Sequence, residues 1–376
     1  MYKRNYRNTE DAISILGFGC MRLPKINPDR PEIDEVAAQA LFDYAFEHGI
    51  NYFDTAFNYH QRLSEPFVGK ALKKYPRDQF YLASKMPGFL VKEEKDVDEI
   101  FEKQLENCQV DYFDFYLCHA ISDESFKVYD DCNIMEHLLK RRADGQIRHL
   151  GFSFHGSPEK LEELVERYDW DFVQLQLNYV DWNVQNAKRQ YEILDAHGLP
   201  CIVMEPLRGG TLAVLCDEAA TVLKEAEPDK SLASWGLRYA ATLPNVLTVL
   251  SGMSAMDQVA DNICTMENFE PLSESEMALV NKAGDIFTKT KTIPCTGCRY
   301  CMDCPSGVEI PGLFKLYNEY MLGEDKNDFV NGYKALGPEK QESQCTACDQ
   351  CTEHCPQSID VPEALKKVTA LAEKLL

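Results

Sequence analysis

A chain of 376 residues with 45% apolar and 11% aromatic content can build one barrel-sized domain of roughly 250 residues and a smaller one beside it. Its formal charge of -22 argues against nucleic acid or an anionic membrane as the main partner, and favours solubility and docking to a basic redox protein. The charged start Met1–Arg7 is followed by no apolar h-region, and no run of about 18 apolar residues occurs. The expectation is therefore a cytoplasmic protein with no signal peptide and no membrane span.

Up to about Glu270, short apolar runs alternate with longer amphipathic ones. Strands are predicted over Ile13–Cys20, Ile50–Thr55, Phe80–Lys85, Tyr112–His119, Ile147–Phe154, Phe172–Asn178, Leu199–Glu205 and Val246–Gly252, with helical patterns after each. One helix opens clearly: Ser157 can cap it, Pro158 suits its first turn, and Leu161, Leu164, Val165 and Tyr168 form its apolar stripe. Repeated βα units with near-continuous apolar strands fit a parallel (β/α)8 barrel better than an open sheet. In such a barrel the chemistry lies at the C-terminal strand ends.

Three of these strands end on ionisable residues. The second stops on Asp54, the third on Lys85 and the fourth on His119, with Tyr59 five residues past Asp54. A carboxylate at the end of a buried strand costs several kcal/mol unless a cation pairs with it. Taken singly, Asp54 and Lys85 would be an ordinary buried ion pair and His119 a satisfied core histidine. Together and in this order they resemble the Asp/Tyr/Lys/His tetrad of the aldo/keto reductases. That resemblance makes Tyr59 the general acid that protonates a substrate carbonyl as hydride arrives. The Lys85 ammonium would lower the phenol from a pKa near ~10 by ~1–3 units. Asp54 would hold the lysine, and His119 would orient the carbonyl.

The same resemblance extends to nucleotide contacts for NADP(H) or NAD(H). Ser153 and Gln174 stand where the family grips the nicotinamide carboxamide, although Phe154 replaces its usual asparagine and His155 could substitute. Gln174, Gln176 and Asn178 alternate with apolar residues, so they share one face of their strand, where they either meet a carboxamide or satisfy one another. Met204 sits where an aromatic usually stacks on the ring, in the run continued by Pro206 and Leu207. Ser251, Gly252, Gln258, Asp261 and Asn262 match the loop and helix start that hold the adenosine end. The family often carries a lysine or arginine there for a 2′-phosphate. This stretch has none, so discrimination against NAD(H) is expected to be weak, and a strong NADPH preference would require a basic group from elsewhere, such as Arg208. Phe57, Tyr179 and Trp182 lie near strand ends and line a substrate pocket or simply pack.

From Pro271 to Thr292 a helical segment leads away, which places a boundary between residues 1–285 and 286–376. Eight of the fifteen cysteines follow Pro294 in two blocks, Cys295, Cys298, Cys301, Cys304 and Cys345, Cys348, Cys351, Cys355, each closed by a proline. Between them a helix is expected over Gly312–Leu322 and then an acidic, loop-like stretch, with a last helix ending the chain. The second block has the C-x2-C-x2-C-x3-C-P spacing in which three thiolates hold one [4Fe-4S] cube and the fourth reaches its neighbour. The first block has one residue fewer before its last cysteine. Paired C-x2-C knuckles also bind zinc, but four cysteines per block and the trailing prolines resemble a helical dicluster ferredoxin domain. By that resemblance Cys295, Cys298, Cys301 and Cys355 hold one cluster, and Cys345, Cys348, Cys351 and Cys304 the other.

The expectation is an oxidoreductase that reduces a small-molecule carbonyl with NAD(P)H, within the iron–sulfur-tailed branch of the aldo/keto reductases. The alternative is an electron-transfer or redox-sensing protein that keeps the barrel as a nucleotide scaffold. Hydride carries two electrons and a cluster takes one, so the tail is a staple, a port for a ferredoxin-like carrier, or an oxygen-sensitive regulator.

Overall fold

A computed structural model describes every residue except Asn8, Pro28, Asp29, Asp303 and Glu324. It divides into two compact units, Met1–Pro206 with Ser234–Ser273, and Leu207–Ala233 with Glu274–Leu376. The boundary expected at residue 285 falls within the helix Glu274–Thr288.

The first unit holds a closed parallel barrel. Its strands are β1 (Leu16–Gly19), β2 (Tyr52–Asp54), β3 (Tyr81–Met86), β4 (Phe113–Ile121), β5 (Ile147–Phe154), β6 (Phe172–Gln176), β7 (Cys201–Met204) and β8 (Val246–Ser251). Each pairs with the next, and β8 closes on β1 through Leu250 and Gly17. The expected first strand, Ile13–Cys20, is two pieces. Ser14 Oγ donates to Leu16 O at 2.8 Å and bends the chain, so that Ala12–Ser14 pairs antiparallel with Lys3–Asn5 and only Leu16–Gly19 joins the barrel. This hairpin packs Tyr6 and Ile13 into one apolar cluster with Tyr52, Phe115, Phe172 and Leu247. Tyr6 Oη also donates to Asp171 O at 2.9 Å. The hairpin thereby closes the N-terminal end of the barrel and leaves chemistry to the other end. The helix Pro158–Arg167 starts as its sequence predicts, with Ser157 Oγ accepting from Lys160 N at 3.3 Å.

The second unit is mainly helical. The helices Asp217–Ala226 and Glu274–Thr288 pack together. The tail helices Ile310–Leu322, Lys326–Leu336 and Val361–Leu375 surround a core that includes Leu313, Phe314, Phe329, Leu365 and Val368. The acidic stretch expected as a loop contains the middle helix, since Asp325 caps it and Phe329 and Tyr333 bury one face at helical spacing. Among the described residues, no helix is long and apolar enough to cross a membrane.

Candidate active site and cysteine centre

Parallel register sets the acid and the lysine side by side. Asp54 pairs with Ala83, and Lys85 lies two residues further along β3, on the same face as Ala83. Lys85 Nζ donates to Asp54 Oδ1 at 2.5 Å and to Thr55 O at 2.7 Å. The lysine is only 1% exposed and the aspartate is also buried. Burial pushes the Asp54 carboxyl above its ordinary value, and the Lys85 ammonium opposes it.

Tyr59 comes to this pair on a short turn, Tyr59–Arg62. Lys85 Nζ lies 5.0 Å from the centre of its ring, and the His119 ring meets it edge-on at 6.0 Å. The three residues after Tyr59 are all left-handed, with φ of 50° at His60, 51° at Gln61 and 74° at Arg62. Such backbone costs an L-residue about 1–2 kcal/mol each, and it persists where surrounding packing dictates it. His119 is held from β4 by its backbone N–H, which donates to Tyr129 Oη at 2.9 Å, while Tyr129 Oη donates to Met86 O at 2.9 Å. One buried phenol thus ties the ends of β3 and β4. Burial, then the Lys85 charge, then His155 hold His119 well below 6.5, so its imidazole is neutral at pH 7. The Phe89 ring, 54% exposed, stands 5.6 Å from the His119 ring.

The expected nicotinamide contacts divide. Ser153 and Gln174 are register partners on β5 and β6, both buried. Ser153 Oγ accepts from Ala120 N at 2.8 Å, and Gln174 Oε1 is buried with no hydrogen-bond partner among the described residues. An unpaired buried amide oxygen fits a ligand that brings an N–H donor, as a carboxamide does. Gln176 and Asn178 are not open in this way, because both side chains donate to Asp181 Oδ2, at 2.8 and 2.6 Å. The His155 backbone N–H donates to Ile121 O at 2.7 Å, and burial lowers its ring to about 4. Met204 is half-buried opposite Gln176, Pro206 is buried, and Leu207 begins the second unit.

At the adenosine stretch, Asn262 Nδ2 donates to Ser251 Oγ at 3.0 Å and Gln258 Oε1 accepts from Ser254 N at 2.8 Å, while Asp261 is half-buried. The cation beside this stretch is Arg22, just past β1. Its side chain lies against Gly252, where an added Cβ would come 3.1 Å from Arg22 Cδ, and its Nη2 is 3.6 Å from Glu205 Oε1. Nothing in the sequence singled out Arg22, because its neighbours are brought by β7 and β8. Tyr179 and Trp182 are in packing contacts with Tyr239, and Phe57 is buried under Arg62. The exposed aromatic at the site is Phe89.

In the second unit seven of the eight tail cysteines, all but Cys348, group across the two blocks. Burial raises the Cys301 thiol, and the next influences on it are Cys298, Cys295 and Cys355. The same four line one cavity with Phe314 and Pro356. Cys351 is raised by burial and then by Cys304 and Cys345. Gly297 N donates to Cys295 Sγ and Ala347 N to Cys345 Sγ, each at 3.4 Å, the same turn in both blocks. Backbone N–H groups aimed at sulfur suit thiolate ligands, so both sets fit a cluster. Among the described residues, no three His, Cys, Asp or Glu side chains converge closely enough to hold a single ion.

Comparison with known proteins agrees with both halves. The model of the aldo/keto reductase family matches residues 15–285, and that of the 4Fe-4S dicluster domain matches residues 294–359. The chain is 28% identical over 294 residues to an L-galactose dehydrogenase of Arabidopsis thaliana, covering 72% of this chain and 90% of that one. It is 23% identical over 331 residues to an NADH-specific methylglyoxal reductase of Escherichia coli, covering 74% and 96%. Among solved structures, the holo form of the aldo-keto reductase AKR11C1 from Bacillus halodurans superposes with a TM-score of 0.61 at 27% identity, over 75% of this chain and 96% of that one. The chain belongs to the aldo/keto reductase family, as an NAD(P)H-dependent oxidoreductase that carries a C-terminal 4Fe-4S dicluster domain.

Proposed function

We propose that the protein reduces a small carbonyl compound, with the barrel as its catalytic domain over residues 1–285 and two [4Fe-4S] clusters in residues 286–376. The observation that carries this reading is the convergence of Tyr59, Lys85, Asp54 and His119, in which a buried ammonium lies 5.0 Å from the phenol ring. Bound NAD(P)H supplies the hydride. Tyr59 gives its hydroxyl proton to the carbonyl oxygen, made more acidic by the ammonium beside it. Asp54 keeps that ammonium charged and in place. Neutral His119 donates one N–H to the carbonyl and aligns it. Ser153 and Gln174 hold the carboxamide, with Met204 and Pro206 beside the ring. Ser251, Gly252, Gln258, Asp261 and Asn262 hold the adenosine end.

Cys295, Cys298, Cys301 and Cys355 would hold one cluster, and Cys304, Cys345, Cys348 and Cys351 the other, each supplying a one-electron site. Cys348 and its neighbours from Thr346 to Gln350 are exposed, whereas Cys295, Cys298, Cys301 and Cys304 of the first block are half-buried. That asymmetry favours the second block as the port for a ferredoxin-like carrier, in a cytoplasmic enzyme.

The test is anaerobic purification with an iron count, followed by a turnover screen of aldehydes and ketones with each nucleotide. Relatives named for methylglyoxal and glyoxal put 2-oxo aldehydes first in that screen. Turnover that depends on Tyr59 supports the reading. No carbonyl turnover, with cluster absorbance bleached by NADH or NADPH alone, favours the electron-transfer alternative.

A further inference from the structure

Beneath Lys85 lies a carboxylate that the reaction above does not use. Glu65, on the helix Ser64–Leu72, is 0% exposed. Its Oε1 accepts from Ser84 Oγ at 2.6 Å and Gln104 Nε2 at 2.7 Å, and its Oε2 accepts from Asn107 Nδ2 at 3.2 Å. All three donors are neutral. Gln104 is fixed in turn, since its Oε1 accepts from Tyr116 Oη at 2.5 Å and its Nε2 also donates to Lys85 O at 3.0 Å. The network therefore runs from Glu65 through Gln104 to the peptide of Lys85.

Each hydrogen bond to Glu65 points a donor at it, so the network is arranged for the charged form. A buried anion with only neutral donors is costly unless a cation answers it at longer range. Burial raises the Glu65 carboxyl above its ordinary value, the bonds from Ser84, Gln104 and Asn107 oppose that, and the cation in its field is Lys85, which also answers Asp54. The other titratable groups packed around it are Cys108 and Tyr116, which burial keeps protonated, and Cys20 at the end of β1, which burial also raises. Arg77, beyond Cys108, is engaged by Asp114 at 2.6 Å.

We propose that Glu65 is a second counter-charge for Lys85, a positioning residue that acts through that ammonium on the Tyr59 hydroxyl. The inference rests on the carbonyl-reductase reading of the same site. With Asp54 in direct contact and Glu65 one network away, two carboxylates answer one buried lysine, and that balance of charge sets the proton affinity of Tyr59.

Removing one anion lowers the proton affinity of its neighbours. Glu65→Gln should therefore move the high-pH limb of the reduction rate to lower pH, by about 0.5–1 unit. Asn107→Asp adds a charge beside Oε2 and should move the same limb upward. Ser84→Ala removes a donor but no charge, and should leave the limb within about 0.2 unit of wild type. Glu65→Asp should restore most of the shift. Opposite signs in the two charge variants separate electrostatics from loss of packing, and Asn107→Asp still answers if Glu65→Gln does not fold. Tyrosine 13Cζ NMR, assigned with Tyr59→Phe, reads the same shifts without substrate. The Glu65 assignment can thus stand or fall even where no carbonyl is turned over. Limbs and NMR midpoints that stay within 0.2 unit of wild type in both charge variants overturn it.

Discussion

The backbone of Thr296 occupies the place where a side chain on Gly209 would begin. A Cβ built on Gly209 would lie 2.3 Å from Thr296 O, and the glycine sits at φ +69°. Gly209 belongs to the turn that continues from β7, and Thr296 lies between the first two cysteines of the tail. This contact is internal to the second unit, and it ties the turn to the first cysteine block.

Gly209→Ala should accordingly loosen that block. Gly210→Ala is the control, because it has the same left-handed backbone at φ +97° but nothing within 4 Å of an added Cβ. Gly210→Ala should cost about 1 kcal/mol of strain, and Gly209→Ala clearly more, with iron per chain falling. Denaturant unfolding and iron counts check this. Equal costs and full iron in both variants would show that the contact carries no load.

Tyr59→Phe should lower kcat for carbonyl reduction by about 10²–10⁴-fold or more while nucleotide affinity barely changes. The phenol acts on the substrate oxygen, and the ring contacts with Lys85 and His119 survive the substitution. A mutant that keeps half the wild-type rate removes Tyr59 from the mechanism.

His119 and His155 should not shape the rate near neutrality. Both are held below 6.5 in the fold, His155 at about 4, so each binds its proton only when the pH falls well under the ordinary imidazole range. The expected rate profile has no imidazole limb between pH ~6 and ~8. Imidazole NMR on His119→Gln and His155→Gln assigns the two signals. A midpoint near ~6.5 for either would contradict the burial argument.

NADH and NADPH should bind with dissociation constants within about tenfold, or ~1.4 kcal/mol. No basic residue lies between Ser251 and Asn268. Arg22 does reach Gly252, but with the Glu205 carboxylate 3.6 Å from its guanidinium, and that acid opposes a 2′-phosphate. Fluorescence titration decides the matter. A preference for NADPH by three orders of magnitude, lost in Arg22→Gln, would make Arg22 the phosphate reader.

The crossed cysteine sets predict separable losses. Cys304→Ala should destroy or convert the cluster of Cys345, Cys348 and Cys351 and spare that of Cys295, Cys298 and Cys301, and Cys355→Ala should do the reverse. Because such a cluster joins distant segments, either change should loosen the tail before the barrel. Iron counting with low-temperature EPR distinguishes these from self-contained blocks, in which Cys304→Ala would damage its own. Zinc in anaerobically prepared protein would end the cluster reading.

Local patterns sufficed wherever one segment carries the whole signal. Ile147–Phe154 places Ile147, Leu150, Phe152 and Phe154 in a short apolar run and forms β5 with those same ends, and Ser157-Pro158 opens its helix as any such pair would. Asp54, Lys85 and His119 stood out because an ionisable residue is costly at the end of a buried strand. Cysteine spacing identified the tail, since few chains repeat such blocks for another purpose. What needed the tertiary structure were the partners of individual polar atoms, whether near or far in sequence. Gln174 stays open while Gln176 and Asn178 are taken by Asp181, although all three share a pattern, because only the folded loop brings Asp181 back beneath them. Arg22 meets Glu205 and Gly252 because closure of the barrel sets β1 against β8, with β7 next. Nothing in the sequence singled out Glu65, because only packing buries it beneath Lys85. Periodicity records which face of an element is apolar; which polar atoms are satisfied depends on partners that arrive only when the barrel closes.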